Sequence, residues 1–210
     1  MPMRVYLVIF LVACPWEGFA QRTTDFYKRQ TDQRSFIGLR AGINYSHTAV
    51  RAYNVGPLAG MRPFAGFYLG GFFQKNLQSD LVYRLDANVQ MKGVRVLNAS
   101  GNVGIRAKYY YVGFTPQFGI QLMRQLTMYA GPELNIMLAK HDEIGRNSYP
   151  VEVGATVRLL YSFRTLGVEF SYFRSFTQYD FLTFGQTSTA GYRHDFYNRN
   201  LQVGLVYRFN

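Results

Sequence analysis

The chain has 210 residues, enough for one domain, with 20 Gly, 18 Phe, 17 Tyr and only 17% charged residues, below the ~25% usual for soluble domains. Its formal charge of +11 points to nucleic acid or an anionic lipid surface; the basic residues fall singly and no nucleic-acid fold signature accompanies them, which favours lipid. The single cysteine, Cys14, excludes a disulfide framework and a cysteine metal site.

Residues 1–20 carry Arg4, an apolar stretch over 5–13, and Gly18-Phe19-Ala20 ahead of Gln21. That order of charge, apolar core and small residues predicts an export signal cleaved after Ala20. Leu11-Val12-Ala13-Cys14 also matches a lipobox, which would make Cys14 the lipidated first residue instead. Mass spectrometry of the mature N-terminus separates the two. Residues 21–33 then read as a periplasmic lead, and 34–210 as an outer-membrane barrel domain. No later segment approaches the ~18 apolar residues of a spanning helix.

From Arg34 onward apolar and polar residues alternate, the period of a strand with two unlike faces. In the first strand Ile37, Leu39, Ala41, Ile43 and Tyr45 are backed by Arg40 and Asn44. The second, 63–74, is apolar on both sides, and Phe67, Leu69 and Phe73 are read as its outer face. The third is the clearest: Leu81, Tyr83, Leu85, Ala87, Val89 and Met91 oppose Arg84, Asp86, Asn88, Gln90 and Lys92. The fourth sets Tyr110, Val112, Phe114 and Phe118 against Thr115 and Gln117. The fifth sets Met128, Leu134, Ile136 and Leu138 against Tyr129, Glu133 and Asn135. The sixth opposes Val151, Val153, Val157 and Leu159 to Glu152 and Arg158, and the seventh Leu166, Val168, Phe170 and Tyr172 to Glu169. The eighth opposes Leu201, Val203, Leu205, Tyr207 and Phe209 to Gln202 and Arg208.

Long connections are predicted at 46–62, 93–106, 140–150 and 174–195, and short turns near 74–80, 123–125 and 162–165. An even strand count with turns short on one side and long on the other is the pattern of an eight-stranded, up-and-down antiparallel transmembrane β-barrel. Hydrocarbon leaves no partner for an open sheet edge, so the barrel must close. Pro116 and Pro132 fall within strands four and five; each withholds a ladder hydrogen bond and is expected at a bulge or near a rim.

The inward residues Arg40, Arg84, Asp86, Glu133, Glu152, Arg158, Glu169 and Arg208 are of both signs. Buried charges must be paired, which predicts a lumenal ion-pair network in which Glu133, Glu152 and Glu169 face Arg158 and Arg84 or Arg40. About eight strands enclose a lumen that side chains fill, so open-pore conduction is not expected. The run Tyr109-Tyr110-Tyr111 reads as an interfacial aromatic girdle.

The first strand Gly38-Leu39-Arg40-Ala41-Gly42-Ile43-Asn44-Tyr45-Ser46, Phe114-Thr115-Pro116, Ala130-Gly131-Pro132-Glu133 and the ending Val203-Gly204-Leu205-Val206-Tyr207-Arg208-Phe209-Asn210 resemble the small outer-membrane β-barrel domain of Bacteroidota, the PorT-like group. The resemblance implies an integral outer-membrane location. It also implies that Leu205, Tyr207 and Phe209 form the signal read by the barrel-assembly machinery; Asn210 after Phe209 departs from that ending.

Chemistry is thin. His47, His141 and His194 fall in predicted loops or strand ends. His141, with Asp142, Glu143 and Ser148 near in sequence, raises an outer-leaflet lipid hydrolase as an alternative, and a narrow channel is another. Consecutive residues of an extended strand point to opposite faces, so His141, Asp142 and Glu143 could not converge on one metal. No cofactor and no enzymatic activity are expected. The favoured reading is a structural or interaction protein, a surface-display or secretion accessory in contact with outer-membrane lipid and a secretion or surface partner. Phe181, Phe184 and Tyr192 in the longest predicted loop are its candidate contact residues.

Overall fold

The computed structural model describes residues 35–53, 60–77, 80–97, 103–142, 149–184 and 192–209. The predicted signal, Cys14 and the lead to residue 33 lie outside them. Among the described residues every element is a strand: β1 (Ser35–Tyr53), β2 (Met61–Asn76), β3 (Leu81–Leu97), β4 (Val103–Gln121), β5 (Leu126–Asp142), β6 (Val151–Phe163), β7 (Leu166–Ser175), β8 (Asp180–Phe184) and β9 (Tyr192–Phe209).

All neighbours are antiparallel, in the order β1-β2-β3-β4-β5-β6-β7-β9-β8, with β1 also paired to β9. The β1–β9 ladder runs from Ile37 opposite Phe209 to Tyr53 opposite Arg193, and it closes the sheet. Arg199 of β9 lies opposite Arg174 of β7, and further along Phe196 lies opposite Asp180 of β8. The short β8 thus continues the position of β7, and nine strand segments fill eight barrel positions. The architecture is the predicted eight-stranded antiparallel barrel.

Two-residue alternation produces this shape because it gives each strand one face for the lumen and one for the outside. On β7 the pattern is uninterrupted: Leu166, Val168, Phe170, Tyr172 and Arg174 are exposed, and Gly167, Glu169, Ser171, Phe173 and Ser175 are buried. On β2, Phe67, Leu69 and Phe73 face outward as predicted. The short turns lie at 77–80, 122–125 and 164–165, all at the end of the barrel that holds Ser35 and Phe209. Arg164, with φ of 52°, supplies the left-handed residue that the tightest of them needs.

The opposite end differs from expectation. β1, β3, β4 and β5 have 19, 17, 19 and 17 residues, well beyond the ~9–11 needed to cross a bilayer. Their ladders run on into segments predicted as loops. Residues 46–53, 93–97 and 103–106 belong to strands, as do 140–142, 174–175, 180–184 and 192–195 of the other predicted connections. The apolar alternation stops beyond the belt of exposed apolar residues on the outer wall, whereas backbone pairing does not. The contact loop is corrected in the same way: Phe181 and Phe184 lie in β8, Tyr192 opens β9, and Phe184 is paired with Tyr192.

The prolines are also corrected. The register shift in the β4–β5 ladder lies at Tyr110/Tyr111, not at a proline. Phe114 pairs with Leu134 and Phe118 with Ala130, so Pro116 stands directly across from Pro132 in mid-strand. The ladder skips the pairs around them. Both missing N–H groups fall in one gap, while Pro116 keeps its place opposite Leu85 of β3 and Pro132 opposite Ala155 of β6.

Candidate functional site

The lumen carries the chemistry. Nearest the short turns, Phe72, Val82, Tyr129, Leu160 and Val206 form an apolar layer. Above it sit three guanidinium groups and two carboxylates, each at most 1% exposed. Arg40 bonds both Glu169, at 2.7 Å, and Asp86, at 3.0 Å. Arg84 Nε donates to Asp86 at 2.7 Å, and Arg158 Nη1 donates to the second Asp86 oxygen. Asp86 is therefore shared by three arginines, and Glu169 joins the cluster from β7. The Tyr68 hydroxyl donates to Glu169 at 2.7 Å. The guanidinium of Arg84 lies 3.9 Å from the Phe72 ring centre and that of Arg40 4.6 Å from that of Tyr68, contacts that suit a desolvated cation.

The next layer is amide-rich. Gln90 donates to Asn135 at 2.6 Å and to Glu133 at 3.1 Å, and accepts from Gln202 at 3.0 Å. Thr156 donates its hydroxyl proton to Glu133. Beyond it Lys92 Nζ lies 2.7 Å from Glu152, flanked by the rings of Phe173 and Tyr111 at 4.2 and 5.0 Å. A second apolar layer of Val94, Ala107, Tyr109, Tyr111, Tyr179 and Phe196 closes the far end. There the Tyr179 and Thr48 hydroxyls are 2.9 Å apart.

Of the eight residues nominated for the ion-pair network, Arg40, Arg84, Asp86, Arg158 and Glu169 converge. Glu152 pairs separately with Lys92, and Glu133 bonds neutral groups rather than an arginine, one step farther up the lumen. Arg208 stands apart: it is half-buried, donates to the Arg164 carbonyl and lies over Phe36, because the strand has by then reached the turn end. The aromatic girdle is corrected as well. Tyr109 and Tyr111 are 2% and 0% exposed inside the lumen, and only Tyr110 has the outward phase. Leu205, Tyr207 and Phe209 are exposed on the outer wall.

The inward aromatics Tyr68 and Phe72 were not singled out from sequence. Their signal is a glycine directly opposite: Gly42 across from Tyr68 and Gly38 across from Phe72. A Cβ at Gly38 would lie 2.5 Å from the Phe72 ring and one at Gly42 2.7 Å from the Tyr68 hydroxyl oxygen, so the glycines make room for large side chains lying across the inner wall.

The other candidates do not assemble. His141 is exposed on β5 opposite Lys108, and Glu143 and Ser148 lie outside the described residues. His194 stands on β9 opposite Ala52 and Leu182, remote in sequence and strand from β5. Among the described residues no group of three His, Cys, Asp or Glu could hold a metal.

No protein-family profile matches the chain, and no curated protein matches it. Among solved structures, the outer membrane protein OprG from Pseudomonas aeruginosa is similar over 85% of this chain and 97% of its own, with 10% identity and a TM-score of 0.51. Ail, the attachment invasion locus protein of Yersinia pestis, crystallised with the heparin analogue sucrose octasulfate, is similar over 84% of this chain and 99% of its own, with 12% identity and a TM-score of 0.47. The likeness to OprG is one of fold: the chain has the barrel of a small outer-membrane protein.

Proposed function

We propose that this chain is an integral outer-membrane barrel whose sealed interior serves only to hold the wall rigid, and that it works as a structural or interaction protein through the end bearing the longer strands. The observation that carries this reading is the inversion of polarity. Ile43, Phe67, Phe118, Leu138, Val203 and Leu205 are 64, 54, 65, 62, 52 and 63% exposed, while Arg40, Arg84, Asp86, Arg158 and Glu169 are at most 1% exposed. In water that arrangement exposes an apolar belt, a cost that vanishes in hydrocarbon; the lumenal charges are offset by pairing in either medium.

Two apolar layers with bonded charges between them support a scaffold over a channel. The strand motifs resemble those of the PorT-like group, and that resemblance is what suggests a secretion-accessory or surface-display role. Purified protein in planar bilayers should give no unitary conductance steps; reproducible steps would overturn the sealed interior. Replacing residues 185–191 with a Gly-Ser linker should abolish capture of a partner from solubilised outer membranes while heat-modifiable gel migration is unchanged. Capture that survives removes that segment from the contact surface.

A further inference from the structure

The amide layer of the lumen has a fixed sense. A guanidinium can only donate, and Arg40 Nη2 bonds Gln202 Oε1 at 3.2 Å. Gln202 Nε2 is thereby left to donate, and it does so to Gln90 Oε1 at 3.0 Å. Gln90 Nε2 donates in turn to Asn135 Oδ1 at 2.6 Å and to Glu133 Oε1 at 3.1 Å. Asn135 Nδ2 then donates to Glu133 Oε1 at 3.0 Å. No amide in this series can be turned end for end without setting two donors or two acceptors against each other. Gly113 of β4 lies directly opposite Asn135 of β5 on one side and Asn88 of β3 on the other.

The two asparagines meet over that glycine. At the position a Cβ would take on Gly113, Asn135 Oδ1 is 2.6 Å away, Asn88 Oδ1 2.9 Å and Gln90 Nε2 3.1 Å. Both hydrogens of that Gln90 nitrogen are already directed to Asn135 and Glu133. Asn135 Oδ1 keeps a second lone pair, and among the described residues no protein group bonds Asn88 Oδ1. Asn88 is also 5% exposed midway along the lumen, whereas Asp86 and Gln90, the inward residues on either side of it, are 0% exposed. Two acceptor oxygens thus converge on a point beside a side chain that is not fully enclosed by protein.

We propose that the space over Gly113 is a binding site for one buried water molecule, which donates one hydrogen to Asn88 Oδ1 and the other to Asn135 Oδ1. The chemistry of the lining selects this guest. Two carbonyl oxygens repel an anion. A metal cation would sit against the positive end of the Gln90 amide. A small neutral donor with two hydrogens satisfies both oxygens, and two polar partners are enough to hold a buried water. The glycine provides the room, since any side chain at 113 would begin inside the site. Bound there, the water ties β3 to β5 across β4. The site is independent of what surrounds the outer wall.

The test is a water-selective NOE and ROE measurement on the full chain, glycine-labelled, in detergent micelles. The inward Hα of Gly113 points at the site and should give a water cross-peak with the sign of a long-lived guest. The inward Hα of Gly154 should give none, because Phe173 ring carbons stand 2.5 and 2.7 Å from the corresponding Cβ position. No cross-peak at Gly113 overturns the site in favour of a direct bond from a reversed Asn88 amide to Asn135. Equal cross-peaks at the two glycines overturn it in favour of general hydration of the lumen. Asn88→Leu removes one of the two acceptors and should abolish the Gly113 cross-peak in a barrel that keeps its heat-modifiable migration; an undiminished peak overturns the assignment. Should that variant fail to fold, the wild-type comparison of Gly113 with Gly154 decides alone.

Discussion

The phenol oxygen of Tyr68 stands where a side chain on Gly204 would begin: a Cβ at residue 204 would lie 2.0 Å from it and 2.4 Å from the Ala41 carbonyl oxygen. That same hydroxyl donates to Glu169 at 2.7 Å, so the glycine is what lets β2 reach across to β7. Gly204→Ala should therefore destabilise the barrel by about 1–3 kcal/mol through overpacking. Tyr68→Phe should cost a comparable amount by removing a bond to a buried carboxylate. The two losses should not add, because removing the hydroxyl relieves part of the clash; the Ala41 contact, being backbone, remains. Urea unfolding of all three variants in one detergent gives the coupling, and strict additivity would show that the two residues do not touch.

Lys92 and Glu152 offer a cleaner test of what buried charge contributes. Their contact is 2.7 Å and both are fully buried. Removing one partner leaves the other desolvated, and Lys92→Met alone should cost about 3–5 kcal/mol. The double variant Lys92→Met with Glu152→Leu should lie much nearer to wild type, since Phe173 and Tyr111 already offer an apolar lining. If the double variant is as damaged as the single one, the pair does more than neutralise itself. Equilibrium unfolding monitored by the gel-mobility shift distinguishes the cases.

Pro116 and Pro132 face each other across β4 and β5. One proline would leave its opposite number an unused carbonyl; two in register waste the same pair of sites. Pro132→Val returns one N–H opposite the Pro116 carbonyl and should raise stability by about 0.5–1.5 kcal/mol. A destabilisation of that size would mean that the gap is filled in some other way.

How far the letters of the chain reveal this barrel depends on whether a residue's role is periodic or relational. Alternation is periodic, so the outward faces of Leu166, Val168, Phe170 and Tyr172, and the inward phase of Glu169, could be read directly. Strand ends were not legible: residues 46–53 lose their apolar phase when they leave the belt yet keep their partners on β9. Inwardness was legible too, but not who meets whom. Asp86 gathers Arg40 and Arg158 from β1 and β6 because the curved wall brings those strands to one lumen, and no spacing encodes that. Glu133 and Glu169 carry the same inward phase, and only their heights decide that one meets amides and the other arginines. Tyr109 and Tyr111 misled for the same reason: a tyrosine run looks alike at a lipid interface and at the top of a packed lumen.

Val203 tests the medium around the barrel. It is 52% exposed, opposed by Ile43 of β1 and Phe170 of β7, themselves 64 and 47% exposed, and it lies several residues from either end of β9. An arginine there, in hydrocarbon near the midplane, should cost about 2–4 kcal/mol. The same change at Leu166, the first residue of β7 and 53% exposed, should cost only about 0–1 kcal/mol, because the cost falls toward the interface. A sheet whose outer face met water would show neither effect, since exposed substitutions there stay within about 0.5 kcal/mol of neutral. Folding both variants into vesicles and comparing their unfolding midpoints with wild type measures the difference. A steep penalty at Val203 and a shallow one at Leu166 is the depth profile of a membrane; equal and negligible penalties would place this apolar belt in contact with something other than lipid.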